Sequence, residues 1–288
     1  MTFDITMFKK FGLSLITVIV IAFFWENNKY NIIALNICCN NNGGDIRVLT
    51  WNVCGANIDS REKEEYIAQL VIAQNADFVQ LNEFCLDSCL VIDSLLNKYY
   101  PYKEDENAHI YAGDIFYSKI PLAKFGYLTW RVPNSIYSKI CLEKDSLFIV
   151  GCHQIGNNHE GQIEINDADS LHKVKRFWGY YRNAQEKRKE KAHFLKMKVL
   201  ESPLPMIVMG DMNDFNHSSP MDSLKDAGMK NAWWKGGLGY GATYHEGWLR
   251  LRIDHIYYNE KLELKGVKVV ETDLSDHNPL IADFSIKE

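Results

Sequence analysis

The chain has 288 residues, of which 47% are hydrophobic and 24% are charged, a composition typical of a globular protein with one large domain or two small ones. Its formal net charge of −5 argues against a protein that coats nucleic acid, because that binding depends on Lys and Arg neutralising phosphates. The seven cysteines include no CxxC pair, and their odd number excludes a fully paired intrachain disulfide framework.

The first segment of the chain is basic and then apolar. Lys9 and Lys10 precede the uncharged residues 11–25, which as a helix would measure ~22 Å, short of the ~30 Å hydrocarbon core of a bilayer. No small-residue cleavage site follows, so we predict an uncleaved signal-anchor that places the rest of the chain outside the cytoplasm, in the cell envelope. A buried core helix is the alternative.

The stretch CCNNNGGD that follows, 38–45, is typical of a linker. We therefore predict that residues 1–44 hold the anchor and linker, and that residues 45–288 form one domain. Cys85 and Cys89 lie four positions apart in this domain and could close a small disulfide loop outside the cytoplasm; two buried free thiols are the alternative that we favour.

Within the domain, the patterns predict more strands than helices. Runs rich in β-branched and aromatic residues predict strands at 46–53, 77–83, 114–118, 146–153, 205–211, 253–259, 264–271 and 279–286. Apolar residues at helical spacing predict a helix capped by Asp59 or Ser60 and ending near Asn75, a long one at 170–201, and one at 221–228 capped from Ser218 or Ser219. Strands and helices do not alternate strictly. We therefore predict an α/β (α+β) four-layer sandwich, with two mixed β-sheets face to face and helices on the outer faces.

Polar side chains recur where the predicted strands begin or end. They are Asn52, Glu83, His153, Asp211, Asn213, Asp214, Asp254, Asp276 and His277. Each one alone has an ordinary explanation, such as a turn-forming asparagine at position 52 or a structural histidine at position 153. Three Asx residues within 211–214 exceed what one turn requires, and strand ends are where a rigid scaffold presents side chains to a ligand.

These motifs, in this order, resemble those of the endonuclease/exonuclease/phosphatase superfamily, which has a deoxyribonuclease-I-like fold. The resemblance covers residues 45–288, and GDxN combined with a terminal SDH is specific. The motifs are TWN (50–52), LNE (81–83), GDIFYSKIPL (113–122), VGCH (150–153), GDMND (210–214), RIDHI (252–256) and SDHNPL (275–280). The resemblance implies a divalent-metal-dependent hydrolase that cleaves a phosphodiester or phosphomonoester by in-line attack of an activated water.

The resemblance also implies which residues bind the metal and the phosphate. Glu83 and Asp276 match the metal ligands, and Asn52 is expected to contact the metal or the phosphate. Oxygen ligands of this kind suit Mg²⁺ or Mn²⁺. Asn213 matches the amide that holds a phosphate oxygen. The glycine-rich loop 236–254 resembles the substrate-side loop of the family, and Tyr244 within it is a candidate for substrate binding.

The remaining matched residues are expected to move or hold protons. Asp211 matches the residue that orients or deprotonates the attacking water. His277 matches the histidine at the scissile phosphate, and Asp254 the carboxylate that fixes its tautomer. His153 matches a second active-site histidine, which is expected to act as a general acid or to donate to the phosphate. Asp214 is expected to cap the following turn.

Four positions depart from the family pattern. They are Asn82, where the family usually has Gln, and Asp114, Lys119 and Gln154. None is a matched catalytic residue, but together they obscure the subfamily. The substrate is expected to be nucleic acid, a phospholipid head group or a small phosphate ester, and the protein a monomer. The alternative is a catalytically inactive family member that binds a phosphate ligand.

Overall fold

The computed structural model describes residues 33–36, 44–54, 58–106, 113–127, 135–141, 146–156 and 170–287. Among these residues there is no helix long and apolar enough to cross a membrane. The predicted anchor, residues 11–25, lies outside the described residues and stays a prediction.

Strands make up most of the regular structure. The strands in the described residues are β1 Ala34–Leu35, β2 Ile46–Asn52, β3 Phe78–Phe84, β4 Tyr102–Glu106, β5 Gly113–Ser118, β6 Leu122–Tyr127, β7 Ser135–Cys141, β8 Ser146–His153, β9 Met206–Asp211, β10 Lys230–Asn231, β11 Leu238–Gly239, β12 Tyr244–Glu246, β13 Leu249–Leu251, β14 Asp254–Tyr258, β15 Leu262–Val269 and β16 Leu280–Ile286. The helices are α1 Arg61–Ala73, α2 Leu90–Leu96, α3 Ser170–Glu201, α4 Ser219–Asp226 and α5 Ala232–Gly236.

Two six-stranded sheets form the centre of the molecule. Their strand orders are β15-β16-β2-β3-β5-β4 and β10-β14-β9-β8-β7-β6. The pairs β2–β3 and β8–β9 are parallel, whereas the other pairs in the two sheets are antiparallel. Both sheets are therefore mixed. Two short antiparallel pairs, β1–β11 and β12–β13, lie beside them.

Apolar side chains fill three successive layers of core. Between the sheets, Val48 and Phe78 share a buried cluster with Ile149 and Ile207. Outside the first sheet, α1 and α2 cover a second cluster, and outside the other sheet α3 and α4 cover a third. The order of layers is helix, sheet, sheet, helix, which confirms the predicted four-layer sandwich. Apolar area removed from water at these interfaces is the main stabilising contribution, at ~25 cal/mol per Å².

The two parallel pairs decide where strand ends meet. Parallel neighbours need a crossover connection, and α1 joins β2 to β3 while α3 joins β8 to β9. Each crossover returns the chain to the same edge of its sheet, so that Asn52 at the end of β2 reaches Asp211 at the end of β9. The carboxyl ends of β2, β3, β8 and β9 therefore lie together at one edge of the sandwich.

The elements predicted from the sequence are confirmed to within two residues at each end. Ser60 caps α1, since its side chain accepts a hydrogen bond from the Lys63 amide. The patterns did not predict the helices α2 and α5, the strands β4, β6 and β7, or the short strands β1, β10, β11, β12 and β13. Both β4 and β6 are outermost strands, and β4 has the sequence YKEDE. Charged edge strands lack the apolar alternation that reveals a strand and protect the sheet from pairing with another chain.

Cys85 and Cys89 are free thiols; Cys89 is buried, as we favoured, whereas Cys85 is half-buried. Burial raises the pKa of the Cys89 thiol. Ala34 is buried and β1 pairs with β11, so a short piece of chain between the predicted anchor and the linker stretch 38–45 packs on the domain.

Candidate active site

The edge where the four strand ends meet carries most of the polar residues singled out in the sequence. Asn52 bridges two of them, because its Nδ2 donates to Glu83 Oε1 at 3.0 Å and to Asp211 Oδ2 at 3.1 Å. Its Oδ1 accepts from the Cys54 amide at 2.9 Å, which fixes the orientation of the side-chain amide. Glu83 is half-buried and so remains accessible to a ligand, whereas Asn52 and Asp211 are buried.

Backbone strain accompanies Glu83. Its φ is 53°, and the pairing of β3 with β5 shifts register between Leu81 and Phe84. A left-handed glutamate at a bulge costs of order 1 kcal/mol and re-aims its side chain, a feature found next to active sites. The fold therefore holds this carboxylate in an unfavourable conformation and presents it at the strand edge.

The GDMN segment needs its glycine. Gly210 has a φ of 137°, and a Cβ at this position would clash with the carbonyl of Cys152 on the paired strand β8. This close approach brings Asp211 beside His153 in the strand register. The chain then turns through Asn213, whose φ is 48° and whose amide donates to Asp211 Oδ1 at 2.8 Å. The Asn213 side chain donates to Asp211 Oδ2 and to the Gln154 carbonyl.

His277 pairs with Asp254 as the sequence predicted. His277 Nδ1 lies 2.8 Å from Asp254 Oδ2, and its Nε2 lies 3.8 Å from Asp211 Oδ2. Because a carboxylate only accepts, Nδ1 carries the proton. Thr243 Oγ1 accepts from the Asp254 amide, and the Tyr244 ring packs edge-on against the imidazole with centroids 5.0 Å apart.

Charge and burial shift the pKa values of Asp211 and His277. Burial, together with the charge of Asp254, raises the pKa of Asp211 to about 6, although His277 and His153 oppose the rise. Burial by itself would lower the pKa of His277, but the charges of Asp254 and Asp211 outweigh that effect and raise it to about 10. Near neutral pH the site therefore combines an imidazolium at His277 with a carboxylate at Asp211 that readily accepts a proton.

Asp276 directly precedes His277 in the chain and lies on the same edge of the sandwich. Ser275 Oγ donates to the carbonyl of Asn52 at 2.8 Å and lies 3.2 Å from Asp276 Oδ1. Glu83 is therefore bonded to the side chain of Asn52, and Asp276 adjoins the serine that is bonded to the main chain of Asn52. The tightest carboxylate and histidine groups among the described residues are Glu83–His153–Asp211 and Asp211–Asp254–His277, each with ligand atoms within 4.8 Å, and neither includes Asp276.

His153 lies between Glu83 and a residue that the sequence did not single out as functional. Its Nε2 is 3.5 Å from Glu83 Oε1, and its Nδ1 is 3.6 Å from Asp114 Oδ1. On α3, Lys191 Nζ donates to the His153 carbonyl at 2.6 Å. In the sequence, Asp114 stands out only as a departure from the family pattern, and the helical charge pattern around Lys191 carries no sign of its contact with His153.

Asp214 does more than cap a turn. Its Oδ1 accepts from the Phe215 amide at 2.9 Å, as expected of a turn cap. Its Oδ2 accepts from Gln185 at 2.6 Å and lies 3.8 Å from the guanidinium of Arg188. Both partners are buried residues of α3, so the loop after Asp211 is tied to that helix.

Comparisons with known proteins identify the family of this chain. The Endonuclease/Exonuclease/phosphatase family model matches residues 49–277. The chain belongs to this family. A UPF0294 protein of Vibrio vulnificus (strain YJ016) is 28% identical over 131 residues, which is 44% of this chain and 41% of that relative.

Solved structures of similar fold cover nearly the whole domain. A humanized D. rerio TDP2 aligns with a TM-score of 0.63 at 15% identity, covering 83% of this chain and 98% of that one. An endonuclease/exonuclease/phosphatase from Bacteroides vulgatus aligns with a TM-score of 0.63 at 17% identity, covering 84% and 99%. At such identities the likeness establishes the shared fold.

Enzymes of this family generally use a divalent metal, and the residues present fit one. Five carboxylates, those of Glu83, Asp114, Asp211, Asp254 and Asp276, converge on one edge with two histidines. Such an excess of anionic oxygen donors is the environment that hard cations such as Mg²⁺ prefer. Asn52 directs its amide nitrogen, and not its oxygen, at Glu83 and Asp211 in this structure.

Proposed function

We propose that this protein is a divalent-metal-dependent phosphoesterase that hydrolyses a phosphodiester or phosphomonoester by in-line attack of an activated water. One observation carries the proposal. The carboxylate of Asp211, with its pKa raised to about 6, is held by Asn52 and Asn213 beside the His277–Asp254 pair. A proton acceptor and a cationic donor thus face the same space, as general acid–base chemistry on a phosphate ester requires.

We assign each residue a part in this reaction. Asp211 orients the attacking water and accepts its proton. His277, charged near neutral pH and held by Asp254, donates to a phosphate oxygen from Nε2. Asn213 exchanges its longer side-chain bond, the one to Asp211 Oδ2, for a bond to another phosphate oxygen. His153 supplies a second imidazole for the phosphate or the leaving oxygen.

Glu83 and Asp276 would hold the metal, Mg²⁺ or Mn²⁺, with Asn52 beside them. When bound, the ion supplies positive charge that stabilises the developing negative charge on the phosphate. The clustered carboxylates of the strand edge repel one another, and a bound cation would offset that repulsion.

We propose that the substrate is a phosphate ester that contacts Tyr244. This half-buried residue lies in the β12–β13 hairpin and contacts His277. A structure of D. rerio TDP2 that shares the fold is complexed with a single-stranded DNA product. Nucleic acid is therefore one candidate, and phospholipid head groups and small phosphate esters are the others. Release of product from single-stranded DNA, sphingomyelin, phosphoinositides and a nucleotide, compared in one panel, separates them.

The proposal is tested with the full-length chain and bis-p-nitrophenyl phosphate in the presence of Mg²⁺ or Mn²⁺. We expect hydrolysis that EDTA abolishes and that Asp211→Asn reduces by ~10² or more. Asp283→Asn is the matched control, since Asp283 is another buried aspartate but pairs with Arg47 at the far end of β2. Activity that survives both EDTA and Asp211→Asn would refute the mechanism. Phosphate-ligand binding without any turnover would support an inactive binding module.

We also propose that the protein is a monomer and that residues 11–25 anchor it. The anchor places the domain at the outer face of a membrane in the cell envelope. The support is the sequence pattern of Lys9 and Lys10 before an uncharged stretch. Membrane fractionation and accessibility to added protease, measured on the full-length chain and on a chain that lacks residues 1–32, test this placement. Equal solubility of the two chains would contradict it.

A further inference from the structure

Residues 33–36 pack on the substrate-side loop, 236–254, although they precede residues 49–277, which the family model matches. Within this segment β1 pairs with β11 of the loop, with Ala34 opposite Gly239. Ala34 is fully buried and belongs to the apolar cluster between the two sheets. A stretch of chain outside the family pattern is therefore built into the domain beside the loop.

Asn36, which follows β1, binds the end of helix α5. Its Nδ2 donates to the carbonyl of Trp234 at 3.1 Å and to the carbonyl of Gly237 at 3.0 Å. Its main-chain amide also donates to the Gly237 carbonyl, at 3.3 Å. The last carbonyls of a helix have no partner within the helix, so a donor from another part of the chain stabilises this end. Asn36 supplies that donor from 201 positions away.

The substrate-side loop begins at this end of α5 and lies against the helix. Trp233 of α5 donates from Nε1 to the carbonyl of Gly239 at 3.2 Å. A Cβ added at Gly237 or at Gly241 would clash with the indole ring of Trp233, so the loop backbone lies directly on the ring. Gly241 has a φ of 64°, a conformation that favours glycine. The segment with β1, helix α5 and the first part of the loop thus form one packed unit.

The next part of the loop reaches the candidate active site. Only residues 240–242 separate β11 from Thr243. The Thr243 carbonyl accepts from the Asn278 amide at 2.6 Å, and Thr243 Oγ1 accepts from the Asp254 amide at 3.0 Å. Tyr244 follows directly and packs against the His277 ring. The position of Tyr244 therefore depends on where the loop is held at both ends, and Asn36 holds the end that is distant from the reaction.

We propose that Asn36 is a positioning residue that holds the substrate-side loop through the end of α5, and so sets where Tyr244 contacts the substrate. The inference rests on the proposed function, which it deepens by adding a segment before the family domain to the support of the site. Asn36 acts through the loop and does not itself contact the substrate.

Two substitutions separate the hydrogen bonds of Asn36 from its bulk. Asn36→Asp keeps the size of the side chain but places an oxygen where the NH₂ group donated, opposite two carbonyl oxygens. Asn36→Ala removes the side-chain bonds without introducing this repulsion. If Asn36 acts as a donor, Asn36→Asp is the more damaging variant. If the side chain only fills space, Asn36→Ala is the more damaging one, and that order would overturn the inference.

Asn97→Asp is the matched control. Asn97 is likewise an asparagine at the C-terminal end of a short helix, α2, and its Nδ2 donates to Asp93 at 3.0 Å. The chain after α2 continues into β4 and not into the substrate-side loop. The control therefore reproduces the chemical change at a helix end without touching the loop.

Hydrogen exchange followed by mass spectrometry on the full-length chain measures the loop without any substrate. We expect the amides of residues 238–244 to exchange ~10-fold faster in Asn36→Asp than in the natural protein, and those of β9 to keep their rate. Asn97→Asp should leave the loop unchanged. Unchanged exchange of the loop in both Asn36 variants would overturn the inference, whether or not the protein turns over any substrate.

Kinetics with bis-p-nitrophenyl phosphate and Mg²⁺ give the second readout. We expect Asn36→Asp to raise KM by ~3- to 10-fold with kcat within about twofold, because Tyr244 shifts while Asp211 and its partners stay in place. Asn36→Ala should raise KM less, and Asn97→Asp should leave it unchanged. An unchanged KM in both Asn36 variants would overturn the positioning role, and if Asn36→Asp does not fold, Asn36→Ala decides. A natural protein without turnover would refute the proposed function, and the exchange rates would still decide whether Asn36 holds the loop.

Discussion

His255 should make this protein lose stability in mild acid. It is buried in β14 next to Asp254. Its Nε2 lies 2.9 Å from the carbonyl of Asp214, which only accepts, and its Nδ1 lies 3.2 Å from Asn231 Nδ2, which only donates. Both contacts are satisfied by the neutral ring with its proton on Nε2. Burial lowers the pKa of His255 from 6.5 to about 3.

The magnitude follows from linkage. The folded protein keeps His255 neutral down to a pH of about 3, whereas the unfolded chain binds a proton near 6.5. The contribution is fully present above pH 6.5 and is lost as the pH falls from there toward 3. At pH 5, protonation of His255 in the unfolded chain lowers the free energy of unfolding by ~2 kcal/mol, at ~1.4 kcal/mol per pH unit below 6.5. That is a sizeable share of a typical unfolding free energy of ~5–15 kcal/mol.

Urea unfolding at pH 7 and pH 5 measures this loss. We expect His255→Gln to be less stable than the natural protein at pH 7, because the contact to Asn231 is lost, but to lose ~2 kcal/mol less on acidification. His193→Gln, at an exposed position of α3, is the control and should keep the pH dependence of the natural protein. Equal losses on acidification in the natural protein and in His255→Gln would refute the reasoning.

Three further predictions concern the site and its supports. Asp254→Asn should lower kcat by ~10² to 10⁴ with little change in KM, because His277 loses the acceptor that fixes its tautomer; an unchanged kcat in steady-state assays would contradict this role. Gly210→Ala should yield no folded protein at 37 °C, since the added Cβ meets the Cys152 carbonyl, and a native circular dichroism spectrum and melting temperature would show the reasoning to be wrong. Ser60→Ala should cost ~1 kcal/mol in urea unfolding by removing the cap of α1, with Ser88→Ala as the exposed control, and equal midpoints for the two variants would count against it.

Much of the fold was predictable because its signals are local. Strands such as β2 and β9 carry runs of β-branched and apolar residues, and α1 begins at a capping serine. The edge strand β4 was not predicted because its sequence, YKEDE, is mostly charged and lacks the apolar alternation that reveals a strand. The family motifs placed Asp211, Asp254 and His277 in one site, and the structure brings these three within reach of one another.

The amino-acid sequence by itself determined the strand and helix pattern, the family, and which strand ends carry polar groups, since these depend on short-range periodicity and on motifs that lie within a few residues. Only the tertiary structure decided that Asn82 and Asp114 form a pair facing His153, that Lys191 on α3 holds the same residue, and that Asp214 is tied to Gln185 and Arg188. Those contacts join residues 26 to 39 positions apart. Their meeting depends on the crossover geometry of the two sheets, and no local pattern encodes that geometry.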